Sequence, residues 1–385
     1  MRCFVVHDCS EPKIASGSQV DEGSGPDTVK VLLNVEEKGT PTLGTRTAVV
    51  EGEGRLELGL VHRNLFGRAE QCRGALQLGH QESSAVKLEF VAPCFHDSYK
   101  LHVQLQDVIQ NFTRTCGFKG LKRGLVITTG QVESPHSVSY EICQRGVQWS
   151  RTESNPREIS WKSALRHTYL EDSRDDPLVP MKGSFVRSNF EVAGWFCGNR
   201  FWRHQLDLQH NVPLGRDLLL SLSGSTGLLQ SGGERSSEIL ERFFVGGPLS
   251  FRGFHMRGLG PREGDASAVS AARGGDAFFC LGASLSLPVP FFESVKRLIS
   301  PLVSPERVRL HVFANAGNSI ASQPGTSVVR SAISNLFSTV RSSVGVGVVF
   351  PTPLGRMEVN LCRPMVYHPE LGDRVTHFQV GLGDE

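Results

Sequence analysis

Thirteen histidines and nine cysteines are the residues of this 385-residue chain best suited to bind a metal or act as nucleophiles. The cysteines are Cys3, Cys9, Cys72, Cys94, Cys116, Cys143, Cys197, Cys280 and Cys362; their number is odd and no Cys-x-x-Cys pair occurs. Scattered single thiols fit a reducing compartment better than a disulfide framework. Cys3, His7 and Cys9 form the one dense cluster, but their spacing matches no usual zinc site and reads as an ordinary chain terminus. A hydrolase would need a Gly-x-Ser-x-Gly elbow or a His-Glu-x-x-His helix, and neither is present. Gly345-Val346-Gly347 lies in a strand pattern and lacks the third glycine before a helix that a dinucleotide site requires. No catalytic residue, metal or cofactor is therefore expected, and the chain reads as a non-enzyme.

The elements that would position these residues are strands. From Tyr99 to Val108 the residues alternate, with Leu101, Val103 and Leu105 on one face and Lys100, His102, Gln104 and Gln106 on the other. Val308, Leu310, Val312 and Ala314 alternate with Arg309, His311, Phe313 and Asn315, and Met357, Val359 and Leu361 with Glu358, Asn360 and Cys362. Weaker versions run from Arg55 to Val61, Arg203 to Leu208 and His377 to Leu382. Turn residues separate these runs, as at Asn64 to Gly67, Pro135-His136, Pro177 with Pro180, Pro213 with Gly215, and Pro351 to Gly355. The pattern predicts an all-β fold.

Hydrophobic residues make up 39% and charged residues 21%, and no stretch of 18 or more apolar residues occurs, so no helical membrane span is expected. A barrel strand crosses in roughly 9–11 residues with only every second one facing lipid, so a membrane barrel can have this composition. A soluble β-sandwich alternates too. The unbroken succession of strands from about Arg55 to Gly383, and polar faces of Lys, His, Gln and Asn suited to a wet lumen, favour the barrel over the sandwich without excluding the latter. His102, His311 and His377 then read as lumen-facing polar residues. The net charge of +2 gives no sign of a nucleic-acid surface. The N-terminus has no apolar core of a signal peptide, and residues 1–28, Gly/Ser-rich and polar, are expected to be disordered.

One segment carries a family resemblance. Gly246-Gly247-Pro248-Leu249-Ser250-Phe251-Arg252-Gly253-Phe254 resembles the loop motif of the outer-membrane barrel-assembly family, which includes the bacterial barrel-assembly protein and the mitochondrial sorting-and-assembly subunit. Companions follow in the family's order. Asn64 to Glu70 fits an early turn. Asp172-Ser173-Arg174 with Pro180 and Gly183 resembles its Asp-x-Arg hairpin. Gly274-Gly275-Asp276, Phe313 to Asn318, Ser342 to Gly347 and Pro353 to Arg356 follow in turn. The resemblance covers about Val29 to Gly383, and the mitochondrial branch fits best.

It implies a transmembrane antiparallel β-barrel of 16 strands over residues 46–385. Residues 29–45 would be the remnant of an N-terminal soluble, polypeptide-transport-associated domain, in an N-terminally truncated or divergent member. It implies a mitochondrial outer-membrane, multi-pass protein that inserts β-barrel precursors, with metaxin-like receptor subunits and the cristae-organising complex as partners. The loop would fold back into the lumen, where Arg252 anchors it with five fixed donors, Gly253 allows close approach, and Phe251 and Phe254 pack the tip. Bacterial members offer that arginine a carboxylate; here Ser286 and Asn315 are the expected wall partners. The first and last strands, taken as Gly54 to Val61 and Val375 to Gly383, would meet at a lateral seam weakened by Gly54, Gly59, Gly381 and Gly383, with Phe378 at its far end. The last strand is expected to stop early at Asp384-Glu385. A protein-secreting transporter of the same superfamily and a passive porin-like channel are the alternative readings.

Overall fold

The computed structural model describes residues 41–383 except 51, 95–97, 151–157, 216, 233–238, 264–270, 290–306 and 322–334, and upstream only Val6–Cys9, Lys13–Ile14, Val31–Leu32 and Val35–Glu37. Cys3, and the side chains of His7 and Cys9, lie outside the described residues, as do Asp384 and Glu385.

A single sheet of 16 strands follows chain order, each strand antiparallel to the next. The strands are β1 (Pro41–Val50), β2 (Glu53–Arg63), β3 (Gln71–Gly79), β4 (Ser84–Cys94), β5 (Tyr99–Asn111), β6 (Phe118–Gln131), β7 (His136–Trp149) and β8 (Glu158–Asp172). They continue with β9 (Gly183–Ala193), β10 (Phe201–Pro213), β11 (Leu219–Ser231), β12 (Ala277–Pro288), β13 (Arg309–Ile320), β14 (Arg341–Thr352), β15 (Gly355–Val366) and β16 (Phe378–Gly383). The sheet curls until its two ends adjoin: a Cβ built on Gly383 of β16 would stand 2.7 Å from the carbonyl oxygen of Val49 in β1. The expected 16-stranded barrel is thus the fold, and no helix among the described residues is long and apolar enough to cross a membrane.

Period-two alternation sorts the side chains. Leu88 on β4 pairs with Leu105 on β5, which pairs with Leu125 on β6, and this row lies on the outer wall. Leu56, Leu58 and Leu60 on β2, Leu310 and Val312 on β13, Val344 and Val346 on β14, and Phe378 and Val380 on β16 are exposed large apolar residues on that same wall. So continuous an apolar surface suits lipid and would be an aggregation hazard in water. The inner wall is ionic: Arg73 and His102 meet Glu89, Lys122 meets Glu141, and Arg187 meets Asp207. Leu101, Val103 and Leu105 accordingly share the outer face, and Lys100, His102 and Gln104 the inner one.

Turn chemistry follows the sequence. Asn64 holds φ +56° and Ala69 φ +63°, and the Asn64 side chain accepts the Ala69 N–H at 3.0 Å, closing the turn between β2 and β3. Between β8 and β9, Asp172 binds Arg174 through both oxygens, while Asp175 and Asp176 accept the backbone N–H groups of Met181 and Leu178.

Two expectations are corrected. The barrel begins at Pro41, so residues 41–45 belong to its first strand and not to a soluble remnant. The outward positions of this strand read Leu43, Thr45, Thr47 and Val49, a face half hydroxylic that gives no clear apolar alternation. Within residues 1–28, Val6–Cys9 pairs with Val35–Glu37 and Lys13–Ile14 with Val31–Leu32, so that stretch is not wholly without structure.

Candidate functional site

Between β11 and β12 the described part of the chain around residues 243–259 returns into the barrel and fills part of the lumen with an apolar core. Phe243, Val245, Phe251, Phe254 and Leu259 from this loop pack with Ala164, Ala193, Phe201, Leu229 and Phe278 of the wall. Phe251 and Phe254 are fully buried and meet edge to face at 5.1 Å. Gly246 and Gly247 both take positive φ and open the hairpin that carries the tip. Gly253 holds φ +88°, and a Cβ there would stand 2.9 Å from the Cβ of Ser343, so only glycine suits the position.

Arg252 anchors the tip as expected, but to a different partner. Its Nε and Nη2 donate to the two oxygens of Glu358 at 2.7 and 2.8 Å, a bidentate pair on β15. Glu358 is fully buried and also accepts from Arg356 Nε at 2.8 Å and Asn360 Nδ2 at 2.9 Å. The Arg252 guanidinium lies over the Phe313 ring, 5.1 Å from its centroid. Ser343 donates to the Arg252 carbonyl. Asn315, in the amide orientation that satisfies both of its polar atoms, accepts the Arg252 N–H at 3.2 Å, so it meets the loop at the backbone. Ser286 makes no hydrogen bond to the described residues of the loop; its hydroxyl accepts from Arg309 Nε at 3.0 Å. The wall partner is thus a carboxylate, and the expectation of a neutral one is corrected. Glu358 sat in plain view on the polar face of an alternating run, but nothing in the sequence distinguishes it from other inward polar residues.

A second anchor, of opposite polarity, holds the base of the loop. Glu241, in the short turn Ile239–Glu241, accepts from Lys162 Nζ of β8 at 2.8 Å and from Arg145 of β7. Lys162 in turn bonds Glu191, and Arg166 bridges Glu191 and Glu141. Burial alone would raise the Glu241 carboxyl, but Lys162 and Arg145 outweigh it and hold it down at about 2. No sequence signal marked this cluster.

The seam residues fall into two groups. Gly54 and Gly59 lie in β2, opposite Val49 and Gly44 of β1, so they stand one strand inside the edge; the expected first strand is corrected to Pro41–Val50. Phe378, Gly381 and Gly383 lie in β16 at the other edge, with Phe378 pointing outward. A Cβ on Gly381 would stand 2.9 Å from both Pro248 and Leu249, so its glycine lets the loop tip lie against the last strand. Among the described residues no ladder joins β1 to β16; the neighbours of β16 and β1 in the sheet are β15 and β2. β16 has six residues against ten in β1, and meets it near Gly383 and Val49. Residues 41–47 of β1 extend past that meeting point and are mostly exposed. A cleft of about 320 Å³ opens there between Thr45, Arg46 and Thr47, the turn Thr352 to Gly355, and Leu178 from the β8–β9 turn.

Comparison with known proteins bears on this arrangement. The Omp85 superfamily domain matches residues 64–385. Sorting and assembly machinery component 50 homolog B of Xenopus laevis is 32% identical over 94% of this chain and 76% of its own length. The Homo sapiens homolog is 32% identical over 93% and 75%, and a SAM50-like protein of Schizosaccharomyces pombe is 28% identical over 99% and 80%. Among solved structures, BamA from Haemophilus ducreyi lacking POTRA domains 1–3 has the same fold, with a TM-score of 0.75 at 17% identity, covering 97% of this chain and 74% of that one. Half the chain or more lies within the superfamily domain, and relatives above 30% identity span most of their length with it. The chain therefore belongs to the sorting and assembly machinery component 50 family of the Omp85 superfamily, β-barrel assembly proteins, and is a multi-pass barrel of the mitochondrial outer membrane.

Proposed function

We propose that the chain inserts β-barrel precursors into the mitochondrial outer membrane through the seam between β1 and β16. Within lipid every backbone N–H and C=O needs a partner, so an edge strand that lacks one is costly unless another strand covers it. The edge of β1 below Val49 supports the reading, because it is exposed over residues 43–47 and no described residue of β16 runs beside it. An incoming strand can add to that edge by main-chain hydrogen bonding, with its side chains alternating between lipid and lumen. The loop packed into the lumen weighs against a passive porin, which has no use for an apolar core inside its channel. Metaxin-like receptor subunits and the cristae-organising complex are the partners this reading brings with it, and β-barrel precursors are its clients.

The test is site-specific photocrosslinking. A photoreactive residue at Thr45 or Thr47 should capture a translocating barrel precursor, and one at Leu105, on the far outer wall, should not. Equal capture at both positions would remove β1 from the mechanism. Depletion of the protein should lower outer-membrane barrels as a class; loss of a single exported protein would favour the transporter reading.

A further inference from the structure

The last strand is tied to the lumen loop through one side chain. Gln379, on β16, is buried and points inward. Its Oε1 accepts the Gly253 N–H at 2.7 Å, and its Nε2 donates to the Phe254 carbonyl at 2.6 Å. The Cys362 thiol, on the neighbouring β15, donates to the same Oε1 at 3.5 Å. Gln379 thus bonds the main chain of two consecutive residues of the loop tip, accepting from one and donating to the other. The backbone just ahead of β16 extends this pairing. Thr376 N donates to Gly253 O at 3.0 Å, His255 N to Arg374 O at 3.0 Å, and Arg374 N to Gly258 O at 2.8 Å, with Phe254 bridged to Val375.

The geometry points to Gln379 as the residue that couples the loop to the seam: the loop tip and β16 form one unit, and β16 leaves its place only when the tip releases it. This rests on the seam reading, since it takes β16 as the strand that moves. β16 is bonded to β15 over the six residues Phe378–Gly383, and among the described residues no ladder pairs it with β1. On its inner face the loop tip supplies the remaining contacts, with Pro248 and Leu249 against Gly381 and the two amide bonds at Gln379. Arg252 acts elsewhere: it ties the tip to β15, a strand inside the sheet. Arg252 therefore positions the tip, and Gln379 passes that position on to the edge. Gln379 is a positioning residue. It makes no bond to an incoming strand and acts through Gly253 and Phe254.

The experiment is hydrogen exchange on the full chain in lipid nanodiscs without any precursor. In Gln379→Met, which keeps the length and removes both bonds, amides of Gly253 to Gly258 and of Val375 to Leu382 should exchange about ten-fold faster, both sets together. Amides of β13 and β14 should keep the wild-type rate. Faster exchange in the loop with an unchanged β16, no change in either, or acceleration throughout the barrel would each overturn the coupling. A second measurement needs no variant: in the wild-type chain the Gly253 amide and the β16 amides should share one opening equilibrium across temperature, and separate equilibria would likewise overturn it. Precursor insertion is read separately in the same nanodiscs. Failure to insert at the β1 edge, with the two amide sets still opening together, would sink the seam reading and leave the coupling intact.

Discussion

Removing one member of the Arg252–Glu358 pair should cost more than any surface ion pair, and by unequal amounts on its two sides. Glu358 is fully buried and accepts from Arg252, Arg356 and Asn360. Breaking a buried pair costs roughly 3–5 kcal/mol, because an uncompensated charge is left behind. In Arg252→Ala the carboxylate keeps Arg356 and Asn360, so the cost should sit at the low end, about 3 kcal/mol. In Glu358→Ala two guanidinium groups, those of Arg252 and Arg356, lose the same acceptor, so the cost should approach about 5 kcal/mol. The double variant should cost less than the sum, with a coupling of about 2–3 kcal/mol. The assay is docking of the loop, read as the rate of tryptic cleavage after Arg257, a site all the variants keep, in folded barrels, with gel mobility of unheated samples confirming the barrel. A shift of about 3 kcal/mol corresponds to roughly a hundred-fold increase in the undocked fraction. Additive single costs, or cleavage within two-fold of wild type in both variants, would show that the pair does not hold the loop.

Three further outcomes follow from the same geometry. A cysteine replacing His102 should react with a membrane-impermeant thiol reagent and one replacing Leu105 should not, measured as labelling above the native cysteines; equal labelling would contradict the inward and outward assignment. The folded-state pKa of Glu241 lies below its ordinary value of 4.5, so its contribution to loop stability is full above that pH and is lost as pH falls toward about 2. Hydrogen exchange at Ile239 to Phe243 should accordingly rise in that window, and Glu241→Gln should remove the pH dependence. Gly253→Ala should destabilise the docked loop by about 1–3 kcal/mol, through its positive φ and its contact with Ser343, while Ala at the open position Gly44 should not, as judged by loop proteolysis.

The barrel was legible where the outward face is aliphatic, as at Leu101, Val103 and Leu105 or at Leu310, Val312, Ala314 and Ala316, because lipid and water select opposite residue types at alternate positions. It was illegible in β1, where threonines occupy outward positions and the period fades. The loop motif showed that Arg252 would be an anchor, since five donors on a fixed fork must find acceptors when buried. It could not show the acceptor. Glu358 lies 106 residues away and Gln379 lies 126 from Gly253, and both become partners only once the loop has folded back through the lumen. Glu241 with Arg145 and Lys162 was hidden for the same reason, across separations of 96 and 79 residues.

The buried interior of β13 to β15 gives the seam two lips of different stiffness. On one side Arg309, His311, Phe313, Asn315, Ser343, Glu358 and Asn360 are packed or bonded behind the wall, so the lip leading to β16 is backed by a solid. On the other, the inward side chains Arg73, His102 and Gln104 of β3 and β5 are exposed or half-buried, so among the described residues the lip leading to β1 has less packed behind it. A wall packed this unevenly among its described residues does not widen evenly when a strand is pushed into its joint. If a precursor enters at the proposed seam, the supported lip should keep its shape and the less packed lip should bend away, so that the opening travels toward β2 to β5. Spin-label distances across β2 to β4 should spread during insertion of a precursor while those across β13 to β15 stay narrow.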